Sequence, residues 1–129
     1  MARGRVEAGP HDAACALREP AAGRLHGAQQ PGLDAGTHGP NTDGIDPDGC
    51  TRLRISDCFI QSGDDAIVRK ITNRPGGNRS CRDITVTNCV LETRETALKI
   101  GSETYGEFRN ISFSNCAVRD AGCGVGLWM

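Results

Sequence analysis

Three aspartates stand in settings that suit acid–base chemistry. Asp43 lies in Asn41-Thr42-Asp43-Gly44-Ile45-Asp46, and the other two form the pair in Gly63-Asp64-Asp65-Ala66-Ile67. Asp43 and Asp65 are 22 residues apart, and Gly44-Ile45 follows the first as Ala66-Ile67 follows the second. If the chain coils with about that period, the two side chains sit on neighbouring strands roughly 4.8 Å apart, with Asp64 alongside. Carboxylates that close cannot all ionise, so one pKa must rise. A raised carboxyl can protonate a leaving group while its neighbours remain ionised. That is the equipment for hydrolysing a glycosidic bond, and an inverting reaction needs about 6.5–9.5 Å between acid and base to admit water. One Asp-Asp pair alone would be weak evidence, because Asp-Gly and similar dipeptides are ordinary turn formers. The third Asp, one period away, is harder to ascribe to turn chemistry. Asp46 and Asp48, in Asp46-Pro47-Asp48-Gly49, read as turn residues.

The elements that must hold these groups are visible as a repeat. Leu53-Arg54-Ile55-Ser56-Asp57-Cys58-Phe59-Ile60 has counterparts in Ile84-Thr85-Val86-Thr87-Asn88-Cys89-Val90-Leu91 and Ile111-Ser112-Phe113-Ser114-Asn115-Cys116-Ala117-Val118. Each alternates apolar and polar residues, reaches an Asp or Asn, and continues through a Cys to an apolar residue. Eight residues beyond each Cys stands Ala66, Ala97 or Gly124, followed by Ile67, Leu98 or Val125. The cysteines are 31 and 27 residues apart, and the longer spacing is taken up near Arg74-Pro75-Gly76-Gly77-Asn78. Alternation means a strand with one face inward. Stacked units would bury like upon like, with aliphatic ladders, a Cys ladder and a ladder of Asp57, Asn88 and Asn115. The expected fold is all-β: a right-handed parallel β-helix, of which about four coils are present. A leucine-rich repeat fits less well, because its consensus is absent and the spacing is too irregular. Arg69 shares its position with Ile100 and Leu127, so a local shift is expected to spare it an unpaired inward place.

Residues 1–40 differ in character. They hold nine Ala, seven Gly and four Pro, no Ile, Phe, Tyr or Trp, and no sustained apolar period. They are expected to form a non-β arm, disordered or foreign to the native protein, with the β-helix spanning 41–129. The chain carries 15 Lys and Arg against 16 Asp and Glu, a net charge of −1 without a basic stripe, which argues against a nucleic-acid partner. No run of 18 apolar residues suggests a membrane span, and the N-terminus shows no apolar signal-peptide stretch. Seven cysteines without a C-x-x-C pair argue against structural zinc. Cys58, Cys89 and Cys116 are expected as free buried thiols. No metal or cofactor is called for.

At its aspartate motifs, and at Ala97-Leu98-Lys99-Ile100-Gly101-Ser102-Glu103 and Arg109-Asn110-Ile111, the chain resembles glycoside hydrolase family 28, the polygalacturonases and their relatives. The resemblance covers 41–129. It implies inverting hydrolysis of α-1,4-galacturonan or a related acidic plant-type pectic polysaccharide, by an extracellular or periplasmic protein that is monomeric when full length. It further implies Asp64 as general acid, with Asp43 and Asp65 activating water. Two departures stand out. Glu95-Thr96-Ala97 replaces the family's Gly-His-Gly, and Gly126-Leu127-Trp128 falls where Arg-Ile-Lys is usual. Lys99 and Lys70 occupy the offsets of the missing Arg and Lys on earlier coils, so Lys70, Lys99 and Asn41 are the candidate substrate-binding residues. The departures favour a rival reading, a carbohydrate-binding or structural β-helix without turnover. A calcium-assisted polysaccharide lyase on the same fold is a third. With so few coils and no recognisable cap, the chain is expected to be a fragment that folds poorly and has little activity alone.

Overall fold

The computed structural model describes residues 42–77 and 79–129, together with the backbone of three short strands nearer the N-terminus. Asn41 lies outside the described residues. Among the described residues, thirteen strands follow in chain order: β1 (Arg5–Ala8), β2 (Ala16–Arg18), β3 (Ala22–Gly27), β4 (Ile45–Thr51), β5 (Arg54–Ser56), β6 (Cys58–Ser62), β7 (Ile67–Ile71), β8 (Ser80–Thr87), β9 (Val90–Thr93), β10 (Thr96–Thr104), β11 (Glu107–Ser114), β12 (Ala117–Arg119) and β13 (Cys123–Leu127). From β4 onward the chain winds into a parallel β-helix. One face is β4, β7, β10 and β13, a second is β5, β8 and β11, and the third is β6, β9 and β12. Three coils are complete, and β13 begins a fourth.

The repeat offsets in the sequence are the stacking register. Ile67 pairs with both Ile45 and Leu98, and Leu98 with Val125. Val86 lies between Ile55 and Phe113, and Leu91 between Ile60 and Val118. Inward residues of the first two coils are fully buried, among them Ile55, Ile60, Ile67, Ile84, Val86 and Leu91. Each such aliphatic side chain contributes about 1.5–3 kcal/mol by leaving water.

Corners between faces need a residue in the left-handed region, which Asn and Asp tolerate best among residues with a side chain. Asp57, Asn88 and Asn115 have φ of 59°, 55° and 50°. Their amides bond up the stack, Asn88 Nδ2 to Asp57 Oδ1 at 3.3 Å and Asn115 Nδ2 to Asn88 Oδ1 at 2.7 Å. A second corner, which the sequence reading missed, stacks Arg52, Asp83 and Asn110 at φ of 58°, 57° and 53°. There Asn110 Nδ2 donates to Asp83 Oδ1 at 2.9 Å.

Four expectations need correction. The arm is not free of β-structure, because β1, β2 and β3 run antiparallel against β6, β5 and β4. Edge pairing draws on backbone N–H and C=O groups, so it needs no side-chain alternation to announce it. Cys58 is disulfide-bonded, with its partner outside the described residues, whereas Cys89 and Cys116 are free. A second thiol stack, with Cys50 over Cys81, went unnoticed. Asp46 and Asp48 are not in a turn but on β4. Asp48 anchors the long β7–β8 loop, accepting bonds from the Thr72 amide and hydroxyl and from Arg74 Nη1 at 2.8 Å. Burial works against its charge, yet these donors lower its pKa overall.

Arg69 is the fourth. No shift turns it outward: it is paired with Ile100 and wholly buried. Its Nη1 donates to the Lys99 carbonyl at 3.1 Å and its guanidinium lies 4.1 Å from the centre of the Phe113 ring. Nε and Nη2 have no hydrogen-bond partner among the described residues. Burial pushes its pKa down to about 9, against smaller opposing effects of Cys81 and Cys116. A buried cation with so few donors satisfied is a cost to folding. Arg69→Met, which keeps length without charge, should raise the urea midpoint by an amount equivalent to about 1–4 kcal/mol. A lower midpoint would mean that the Phe113 stack and the single carbonyl bond outweigh desolvation.

Candidate active site

The face built from β4, β7 and β10 carries a polar groove at its leading edge. Asp43 lies just before β4, and Asp64 and Asp65 lie in the connection from β6 to β7. Backbone bonds lock the coils there: Gly44 N–H donates to the Asp65 carbonyl at 2.8 Å and Ala66 N–H to the Thr96 carbonyl at 2.9 Å. Gly44 is required by this approach, because a Cβ would lie 2.3 Å from the Ala66 oxygen. The three aspartates thus come together, with one oxygen from each within 4.8 Å of the others. The groove, about 220 Å³ and open to solvent, is also lined by Lys70, Lys99 and Glu103.

The carboxylates are held differently. Asp65 is the most firmly fixed: Oδ1 accepts the Thr96 N–H at 3.0 Å and Oδ2 accepts from Lys99 Nζ at 2.7 Å. Its own N–H faces Asp43 Oδ1 and Asp64 Oδ1, each at 3.0 Å. The Asp64 carbonyl accepts from the hydroxyls of Ser62 and Thr93, which steadies the turn between β6 and β7. Asp43 is driven to about pKa 7, first by burial, then by the charges of Asp46 and Asp64 and less by Asp65, with Lys70 opposing them. Lys70 Nζ sits 2.8 Å from Asp46 Oδ2 and 3.9 Å from both Asp43 and Glu103. Burial disfavours its charge, but Asp46, then Asp43 and Glu103, raise its pKa.

Of the residues singled out in the sequence, Asp43, Asp64, Asp65, Lys70 and Lys99 meet in one groove. Both lysines, candidates for gripping a substrate carboxylate, already face aspartates. Thr96, standing where the family has His, is buried and contributes its backbone N–H rather than a ring nitrogen. Asp46 and Glu103 were missed as parts of the site. Asp46 gave a signal in its outward place on an alternating strand, obscured by Pro47 and Gly49. The three clustered oxygens are also near enough to ligate one cation, although Lys70 and Lys99 already supply counter-charge.

Asp43 has a pH signature. Its pKa in the folded protein lies above the value of an unfolded chain, so the folded state binds the extra proton between about pH 4 and 7. Its support for folding is complete at low pH and is lost as pH rises through about 7. Asp43→Asn should therefore stabilise the protein at pH 8 by about 2 kcal/mol, allowing for screening at a partly exposed side chain, and by almost nothing at pH 4. Denaturation curves at the two pH values check this, and an equal effect at both would contradict it.

Residues 27–127 match the family described as Glycosyl hydrolases family 28, beginning inside the stretch read as the arm. A "Probable polygalacturonase" of Vitis vinifera is 64% identical over 31 residues, which are 24% of this chain and 6% of that protein. The chain thus spans a small part of that relative's length in the match. No solved structure matches. With its parallel coils and with most of its length inside the family match, the chain belongs to glycosyl hydrolases family 28.

Proposed function

We propose that the groove hydrolyses glycosidic bonds in a pectic polysaccharide by carboxylate acid–base catalysis. The observation that carries this reading is the approach of Asp43, Asp64 and Asp65 within 4.8 Å, inside an open groove. The name of the grapevine relative points the same way. Asp65, fixed by an ammonium and a backbone amide, is suited to orient the attacking water. The proton needed by the departing sugar oxygen belongs to the coupled cluster as a whole. Asp43 is where burial and neighbouring charges favour it in the free site, and Asp64 is the donor that the family resemblance implies. Inversion is part of the proposal. Nearest-oxygen distances are lower bounds on carboxyl separations, so 4.8 Å between oxygens is compatible with a wider acid-to-base span.

A second reading, a β-helix that binds carbohydrate without turnover, is favoured by Thr96 in place of His and by Gly126-Leu127-Trp128 in place of the usual cations.

Release of reducing ends from pectin without an unsaturated, ultraviolet-absorbing product is expected. Absence of both would favour the binding module, and the absorbing product would indicate a lyase. Asp65→Asn and Asp64→Asn should each lower kcat/KM at least about a hundredfold. Because the cluster must keep its proton, activity should fall as pH rises through about 7. An undiminished rate at pH 9 would remove Asp43 from the proton inventory. NMR of the first-formed product should show the anomer opposite to the substrate's.

A further inference from the structure

Strands β7 and β10 fall out of step partway along the groove. Arg69 pairs with Ile100 and Ile71 with Thr104, so Lys70 alone on β7 faces Gly101, Ser102 and Glu103 on β10. A strand that carries extra residues bends locally and re-aims its side chains. This bulge is clamped at both ends. Trp128 N–H donates to the Ile100 carbonyl at 2.9 Å before it, and Tyr105 N–H to the Ile71 carbonyl at 3.1 Å after it. Gly101 forms its base with φ of 103°, and a Cβ there would collide with the Trp128 carbonyl oxygen, so only glycine fits.

All three bulge residues line the groove that holds the aspartates. Glu103 is the one with a strong acceptor. Its side chain is 44% exposed, and among the described residues its carboxylate has Lys70 Nζ as ion-pair partner, 3.9 Å from Oε2 and too far for a hydrogen bond. The same ammonium is 3.9 Å from Asp43 Oδ2, so Glu103 and Asp43 share it. A sugar lying against the aspartates therefore comes beside Glu103 as well.

An ionised carboxylate only accepts hydrogen bonds, through its two oxygens. In an α-1,4-linked galacturonan O1 and O4 are used in linkages and C6 is a carboxylate, which leaves the vicinal 2- and 3-hydroxyls as the donors of an internal unit. They lie across the ring from C5, which bears the carboxylate, so turning them toward an acid keeps the like charges apart. We propose that Glu103 determines specificity by accepting hydrogen bonds from the 2- and 3-hydroxyls of a galacturonate unit in the groove, and that the bulge is what presents it there. This rests on the groove being a pectin-hydrolysing site, and it names the part of the sugar that the site reads. Units acetylated at O2 or O3 are then poor ligands, because a site that hydrogen-bonds a hydroxyl is left with an unpaired polar group when that hydroxyl is missing.

Galacturonan oligomers are compared with the same oligomers acetylated at O2 and O3, by reducing-end kinetics and by isothermal titration calorimetry on the full chain. The unmodified oligomer should show a KM and a dissociation constant about tenfold lower. Glu103→Ala should raise its KM about tenfold while changing kcat less than about threefold, and should bring the acetylated and unmodified oligomers close to parity. Glu103→Gln, which keeps one acceptor oxygen, should fall between wild type and Glu103→Ala. A Glu103→Ala variant with the wild-type KM, or with the wild-type discrimination against acetyl groups, would overturn the proposal, and cleavage by the wild type would leave the hydrolase reading intact. If the wild-type chain cuts neither oligomer, the hydrolase reading fails and calorimetry decides the matter. A preference for the unmodified oligomer that Glu103→Ala abolishes would uphold hydroxyl recognition, whereas equal binding of the two oligomers, or no binding, would overturn it.

Discussion

Gly44 donates its N–H to the Asp65 carbonyl, and the site depends on the register that this bond enforces. Side chains alternate along a strand with period two, so a slip of one residue would turn every outward group inward. The Ile45, Ile67 and Leu98 ladder resists that slip from inside, because slippage would bring Asp46 or Val68 into the lumen and expose the aliphatics. Core and site therefore share one constraint. The aliphatic ladder holds the coils in phase, and the phase sets Asp43 against Asp65.

Bringing acids together costs free energy, and the surrounding residues divide that cost unevenly. Asp65 is compensated by Lys99 and the Thr96 amide. Asp46 and Asp43 share Lys70 with Glu103, and the share left to Asp43 is too small to offset burial, so its pKa rises. The inequality leaves Asp43 poised to hold a proton beside an aspartate fixed in place by its own partners. The lysines that make it possible are thereby committed to aspartates.

On the other side of the same strands, Arg69 is an exception to the core. Its Lys99 contact joins the lumen to the groove, since the carbonyl it holds belongs to the residue whose ammonium grips Asp65. Why an arginine occupies a rung otherwise filled by Ile100 and Leu127 has no account in the contacts it makes.

Much of the fold was legible in the residues alone. The offsets from Cys58, Cys89 and Cys116 carried the stacking of Ala66 on Ala97 and of Ile67 on Leu98, because in a parallel stack equal offsets are equal heights. The same arithmetic brought Asp43 over Asp65. It could not foresee β1, β2 and β3, whose pairing is a backbone matter, or the bond at Cys58, which depends on which sulfur the fold brings within reach. Nor could it assign the lysines. Local sequence determined which face each charge occupies and on which rung. Which aspartate each ammonium reaches and how much burial each carboxyl suffers were decided by tertiary structure, because these are through-space distances of a few ångströms between coils, and electrostatic energies change steeply over that range.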